Sequence, residues 1–192
     1  MNDKPLRPTR RRLAELLKKT CFKQGRFILA SGKESNYYFD ARVGSLSAEI
    51  AFCIASLILE KIQNDRIDAV GGLTLGADPI VGALVALSYQ QGMPLNGFIV
   101  RKQEKKHGTQ KCIEGPALDE HSRVVIIDDV VTTGASTVQA IDAARACGAQ
   151  IVRVIAVVDR NEGAREAIAA CGMQLESLFS IDEFLSPSKE RL

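Results

Sequence analysis

Val124-Val125-Ile126-Ile127-Asp128-Asp129-Val130-Val131-Thr132-Thr133-Gly134-Ala135-Ser136 decides how the whole chain is organised. Four consecutive apolar residues, all β-branched, fit a buried parallel strand, and from Ser136-Thr137-Val138 onward the pattern turns helical. Such a strand delivers Asp128 and Asp129 into a turn of small residues beside a helix N-terminus. Thr132, Thr133, Gly134, Ala135 and Ser136 can aim successive backbone N–H groups and three hydroxyls at one spot, which is how a protein cradles a phosphate. The plain alternative is a strand end with an Asx-rich turn and a serine cap. Two acids next to the cradle would repel a bare phosphate, so they suggest a ligand that also offers hydroxyls, or a nearby metal ion. A ribose 5-phosphate has both ends.

The 192 residues, 46% hydrophobic and 25% charged, suit one globular domain. The net charge of +2 is unevenly placed. Residues 1–26 hold nine lysines and arginines against Asp3 and Glu15, so the remainder carries about −5. Arg10-Arg11-Arg12 opens a helical pattern after Thr9, a plausible cap, and Leu13, Leu16 and Leu17 follow at helical spacing. Without interleaved aromatics the arginines read as a solvated helix face, and no nucleic-acid partner is expected. Cys21, Cys53, Cys112, Cys147 and Cys171 form no C-x-x-C pair and follow no signal peptide, so reduced thiols and a cytoplasmic location are expected. The longest nearly apolar run, 50–59, is about half of the ~20 residues that span a bilayer, so no membrane partner is expected either.

The strand-loop-helix plan recurs. Asp68 to Leu73 leads into Thr74-Leu75-Gly76-Ala77-Asp78-Pro79, where Gly72 and Gly76 allow close backbone approach and Pro79 suits a helix first turn. A strand over 96–100 runs into 101–111, where five cations and His107 face a single acid, Glu104. This is either a solvated charge run or a segment that awaits a polyanion. Ile151 to Val158 reads as a further buried strand, followed by Asp159-Arg160-Asn161-Glu162-Gly163. Near the N-terminus, short β-type runs on either side of Ser31-Gly32-Lys33 predict a hairpin. Tyr37 and Phe39 there are either core on one strand face or part of a binding surface.

Taken together, these segments resemble the type I phosphoribosyltransferases, and more closely the orotate phosphoribosyltransferases, over about residues 22–184. The stretch 124–136 is similar to the family's phosphoribosyl-diphosphate (PRPP) motif. Phe27-x-Leu29-x-Ser31-Gly32-x-x-Ser35-x-Tyr37-Tyr38 resembles the hood over the pyrimidine. Arg101-Lys102-x-x-Lys105-x-His107-Gly108, followed by Glu114-Gly115, resembles the basic catalytic loop. The resemblance implies an α/β fold, a parallel sheet flanked by helices, with hood 1–45, core 46–185 and tail 186–192. It implies transfer of the 5-phosphoribosyl group from PRPP to orotate, giving orotidine 5′-monophosphate and pyrophosphate in pyrimidine biosynthesis.

Residue by residue, it implies that Arg101, Lys105, His107, Asp128 and Asp129 act in catalysis. Lys102 would join them in holding PRPP, together with Val130, Val131, Thr132, Thr133, Gly134, Ala135 and Ser136. Leu75, Gly76, Ala77 and Asp78 would form the pyrophosphate loop, although no lysine stands in it. Ser31, Gly32, Tyr37, Tyr38, Thr132 and Arg160 would hold orotate. Some members have a lysine where this chain has Ala30, so the base must rely on the hairpin backbone, a tyrosine and Arg160. Mg²⁺ is the expected cofactor, held mainly by PRPP and water rather than by a protein cage. The expected assembly is a homodimer in which the basic loop is shared between subunits. The other readings are a phosphoribosyltransferase for a different base, which should lack the basic loop, and a non-catalytic nucleotide-sensing regulator supported only by Arg10-Arg11-Arg12.

Overall fold

The computed structural model describes residues 8–28, 32, 34–102 and 112–185. Helix α1 (Arg10–Thr20) leads into a two-stranded antiparallel hairpin, β1 (Phe22–Ile28) and β2 (Glu34–Phe39), then α2 (Ala41–Ser45) and α3 (Ala48–Ile62). The main sheet follows as β3 (Ala69–Leu73), α4 (Asp78–Gln90), β4 (Asn96–Val100), β5 (Ile113–Glu114), β6 (Arg123–Val131), α5 (Ala135–Ala146), β7 (Gln150–Asp159), α6 (Ala164–Ala170), β8 (Leu175–Ser180) and α7 (Asp182–Leu185). Its strand order is β5-β4-β3-β6-β7-β8. All neighbours are parallel except β5, which pairs antiparallel with β4. The expected parallel sheet is therefore present, with one short antiparallel edge.

Alternation along the central strands explains the two-layered core. Val125 and Ile127 of β6, with Ile155 and Val157 of β7, bury against α1, α3 and α4. Val124 and Ile126, with Val154 and Ala156, bury against α5 and α6 on the other face. Both faces are covered, which is why these strands read as continuous apolar runs. Arg153, the one polar residue between Ile151 and Val158, lies between Asp65 and Glu176, at 2.6 Å from each, and Lys61 joins Glu176 at 2.9 Å.

The basic N-terminal helix presents the solvated arginine face expected of it, all three side chains being more than half exposed, and adds partners that the sequence did not show. Thr9 does cap α1, accepting from the Arg12 N–H at 3.1 Å, and Leu13 and Leu17 are fully buried. Arg11 stays solvated beside Glu15. Arg10, however, holds both oxygens of Glu183 at 2.7 Å and lies 4.5 Å over the Phe179 ring, while Arg12 pairs with Glu49 at 2.7 Å. Two of the three arginines thus tie α1 to α7 and α3, because the buried leucine stripe brings that helix against acids distant in sequence. All five cysteines are free thiols, and burial pushes that of Cys21 up to about 11. No helix among the described residues is long and apolar enough to cross a membrane.

Two glycines in the β3–α4 unit make opposite demands. A Cβ on Gly72 would overlap the Ile127 carbonyl oxygen of the adjacent strand and come within 2.7 Å of Ala77 Cβ. Gly82, exposed within α4, has open space at that position. Gly72→Ala is expected to destabilise the protein by about 1–3 kcal/mol through overpacking. Gly82→Ala should stabilise it by roughly 0.5–1 kcal/mol through helix propensity. Urea unfolding of both variants checks the contrast, and equal effects would contradict this packing.

Candidate functional site

The loops that matter lie at the carboxyl ends of β3, β4, β6 and β7, with the hairpin arching near them. Strand β6 continues further than the sequence reading allowed. Asp128 pairs in register with Ala156, and Val130 and Val131 pair with Val158 and Asp159, so both acids stand on the strand itself. Strand alternation then sends them to opposite faces. Asp128 is buried and turns to α5, where it accepts from Ser136 Oγ at 3.0 Å and Thr137 Oγ1 at 2.7 Å. Asp129 turns to the loop after β3, and a Cβ on Gly76 would overlap its carboxylate. Gly76 is thus required by the approach of an acid, a reason that the glycine pattern alone did not reveal.

This arrangement alters the electrostatics of the pair. Burial pushes the Asp128 carboxyl up to about 6, the neighbouring Asp129 charge adds to the rise, and the Thr137 and Ser136 hydroxyls oppose it. Asp129 is also raised, mainly by burial, with the Val130 N–H at 2.8 Å and the charge of Arg42 pulling the other way. Arg42 itself is fixed by Asp40 at 3.1 Å. Nothing in the spacing of Arg42, Thr137 or Gln139 marked them in the sequence. Each becomes visible only when the strands are stacked.

The turn after β6 has Gly134 at φ +82 as the N-cap of α5, a left-handed conformation suited to glycine. A Cβ there would also approach Ala164 Cα to 3.1 Å. Thr133 and Ala135 are exposed, Thr132 and Ser136 half-buried, and Val131 is buried beneath them. Of the three hydroxyls expected to face a phosphate, that of Ser136 donates instead to Asp128, because a buried carboxylate needs donors. In the loop after β3, Thr74 Oγ1 donates to Asp78 Oδ2 at 2.8 Å, Asp78 Oδ1 is buried without a hydrogen-bond partner, and the Thr74–Leu75 peptide is cis. The Ala77 and Asp78 amides make long bonds to Leu73 and Leu75 carbonyls, at 3.4 and 3.3 Å. Leu75 is exposed.

Arg101 and Lys102 stand at the end of β4 beside a cleft of about 540 Å³ that Thr74, Ile99 and Glu114 also line. The Arg101 N–H donates to the Cys112 carbonyl at 2.8 Å, and its guanidinium pairs with Glu114 at 3.1 Å. Gln139 of α5 donates to the Arg101 and Lys102 carbonyls, at 3.5 and 3.2 Å. The helix behind the phosphate turn thereby grips the base of the basic segment. Lys105 and His107 lie outside the described residues, as do Ala30 and Ser31; Gly32 is exposed at φ +78.

In the hairpin, Phe39 is core, while Tyr37 stacks 5.9 Å from Phe22 and accepts from Arg160 Nη2 at 3.3 Å. Tyr37 thus packs on the core and also touches Arg160. Tyr38 points the other way and donates to Asp40 at 3.2 Å, so the structure brings only one of the two tyrosines to Arg160. The Arg160 N–H donates to the Val131 carbonyl at 2.9 Å, placing Arg160 directly beside the β6 turn.

An acid pair on a strand end, a small-residue turn at a helix N-terminus and a neighbouring glycine loop define the phosphoribosyltransferase class. Residues 43–186 match the phosphoribosyl transferase domain family. The orotate phosphoribosyltransferase of Rhodopseudomonas palustris is 41% identical over 181 residues, spanning 93% of this chain and 97% of that protein. That of Synechocystis is 42% identical over 179 residues, covering 93% and 90%. Among solved structures, Mycobacterium tuberculosis orotate phosphoribosyltransferase in complex with Fe(III) dicitrate superposes with a TM-score of 0.81 at 38% identity, covering 91% of this chain and 98% of that one. The same enzyme in complex with PRPP gives 0.77 at 35%, covering 92% and 99%. The chain belongs to the orotate phosphoribosyltransferases.

Asp128 generates a prediction about pH. An aspartate in an unfolded chain titrates near ~3.9. With the folded value raised to about 6, the folded protein keeps a proton between those limits that the unfolded chain has released. Stability therefore falls as pH rises through that window and stays lower above it. Asp128→Asn should unfold at higher urea than wild type at pH 7.5, by about 1–3 kcal/mol, with the gap closing near pH 4. A variant less stable than wild type at both pH values would show that lost hydrogen bonds outweigh the buried charge.

Proposed function

We propose that this chain transfers the 5-phosphoribosyl group of PRPP to orotate, forming orotidine 5′-monophosphate and releasing pyrophosphate, in the cytoplasm. The observation that carries this reading is the pairing of β6 and β7, which sets Val131 beside Asp159 and hydrogen-bonds Arg160 to Val131. A phosphate turn and a cation suited to a carboxylate thus leave neighbouring strand ends, and adjacent strands are only ~5 Å apart. A ribose phosphate and a carboxylated base can be held within one bond of each other.

In this reading the 5-phosphate lies on the 132–136 turn and the ribose hydroxyls face Asp129, while Asp128, instead of facing the ribose as the resemblance implied, is turned to α5 and holds the Ser136 and Thr137 hydroxyls behind the turn. Leu75, Gly76, Ala77 and Asp78 border the pyrophosphate, and Arg160 with Tyr37, Thr132 and the hairpin holds orotate. As the base nitrogen displaces pyrophosphate, positive charge builds on the ribose and negative charge on the departing oxygens. Arg101, Lys102, Lys105 and His107 oppose that negative charge, a contribution that can be the largest single one. Among the described residues no group of three or more histidines, cysteines or acids could cage a metal. Asp129, beside the phosphate turn and the loop after β3, nevertheless suits Mg²⁺, which is commonly held by one or two carboxylates, substrate phosphates and water. When bound there it would neutralise pyrophosphate charge. Residues 1–45 are read as a hood on a core of 46–185, with 186–192 as a tail.

The assay is direct: protein, PRPP and Mg²⁺ are mixed with orotate, uracil, hypoxanthine or adenine in turn, and nucleotide is followed. Orotate alone should react. Turnover of another base would reassign specificity, and no turnover of any base would overturn the reading.

We further read the active unit as a homodimer whose basic loop completes the partner's site. A groove of about 270 Å³ between α3 and α4, where the alanines Ala48, Ala51, Ala83 and Ala86 lie beside the exposed Phe52, would let a second copy approach closely. Lys105→Ala and Asp129→Asn chains should each be nearly inactive. If the loop acts across the interface, their co-expressed mixture should recover about a quarter of wild-type activity, since random mixing leaves that share of sites intact in a two-fold dimer. Activity no higher than the parents, with hybrids confirmed by differential tags, would place the loop in its own subunit's site.

A further inference from the structure

Arg160 is 13% exposed at its side chain and already holds an acid. Its Nη2 lies 3.0 Å from Glu162 Oε1 and donates to the Tyr37 hydroxyl at 3.3 Å, while its guanidinium carbon stands 5.3 Å from the Tyr37 ring centroid. Its Nε is buried with no hydrogen-bond partner. A guanidinium binds a carboxylate best through two parallel N–H···O bonds. Glu162 reaches the fork through Nη2, from a side chain that is 43% exposed.

The turn that presents Glu162 is rigidly built. Asn161 takes a left-handed φ of +56. Its N–H donates to Asp159 Oδ1 at 2.9 Å, and its amide donates to Ser180 Oγ at 2.9 Å and Asp182 Oδ2 at 2.8 Å. Asp159 is fully buried and pairs with Arg165 at 2.8 Å. Gly163, at φ +102, then opens α6. Glu162 is therefore delivered to Arg160 by a fixed backbone.

We propose that Glu162 is a resident counter-carboxylate for Arg160, which an incoming carboxylated base displaces on binding. This rests on the reading that Arg160 receives the orotate carboxylate. Glu162 keeps the guanidinium paired while the site is empty, and returns to it as the nucleotide, which still carries the carboxylate, departs. The pairing lowers affinity for substrate and product alike, because each must compete with a tethered acid. It cannot lower affinity for a base that has no carboxylate to exchange.

Glu162→Gln removes the charge and keeps the shape and one carbonyl acceptor. At saturating PRPP it should lower the KM for orotate about two- to fivefold, the scale of a half-exposed ion pair. The inhibition constant of orotidine 5′-monophosphate should fall by a similar factor, and that of uracil should not fall. An orotate KM equal to or above wild type would overturn the proposal, as would an equal tightening of uracil. Arg160→Ala is measured beside it. If that variant leaves the orotate KM unchanged, the assignment of Arg160 fails and takes this inference with it. If it raises the KM while Glu162→Gln does not lower it, the inference alone fails.

Discussion

Two adjacent carboxylates at the end of a central strand, Asp128 buried and Asp129 half-buried, are the constraint to which the surrounding structure is fitted. Burial of a charge is costly unless donors compensate it. Asp128 meets this with hydroxyls from Ser136 and Thr137, so the first turn of α5 must carry side-chain donors as well as free amides. Asp129, half-buried, meets it with the Val130 N–H and the charge of Arg42, and the loop after β3 presses on it so closely that Gly76 cannot bear a side chain. The β3–α4 loop, β6 and α5 are consequently locked to one another around the acids. Gly72, pressed on the Ile127 carbonyl, shows the same tightness one layer below.

The hairpin and N-terminal helix belong to the same construction. Leu13 and Leu17 join the core cluster under the sheet, and Arg10 and Arg12 anchor the helix to acids of α7 and α3. With that anchor in place, Tyr37 is held between Phe22 and Arg160. Besides its direct hydrogen bond to Arg160, the tyrosine is joined to the helix by packed side chains, Phe22 on Phe184, Phe184 on Phe179 and Arg10 over Phe179.

Much of this was legible in the sequence because the governing patterns are local. The apolar run before Asp128, the small-residue turn and Pro79 at a helix start each constrain only a few residues, and the strand, turn and helix followed. What escaped depended on stacking. The strand's continuation through Asp128 and Asp129 is set by pairing with Val158 and Asp159, and polar residues at a strand end otherwise read as a loop. The roles of Arg10 and Arg12 needed partners at Glu183 and Glu49, and a run of arginines read alone is a solvated face. Tyr37 and Tyr38 are neighbours in sequence, yet alternation sends one to Arg160 and the other to Asp40.

An acid pair beside a phosphate turn poses an electrostatic problem that the fold answers in layers. The turn's amides and the N-terminus of α5 supply partial positive charge where Thr133 and Ala135 are exposed. Asp128 is turned away from that opening and into hydroxyl donors, and its raised pKa shows that burial disfavours its charge, so its field at the turn is blunted from behind. Asp129 faces the other loop, where the charge of Arg42 partly offsets it. Arg101 and Lys102 stand beyond, at the mouth of the cleft, with their backbone carbonyls held by Gln139 from the same helix that begins at the turn. A polyanion and two carboxylates can share this site because strand alternation points the acids apart, and because Arg101 and Lys102 stand at the rim, where a full charge is little desolvated.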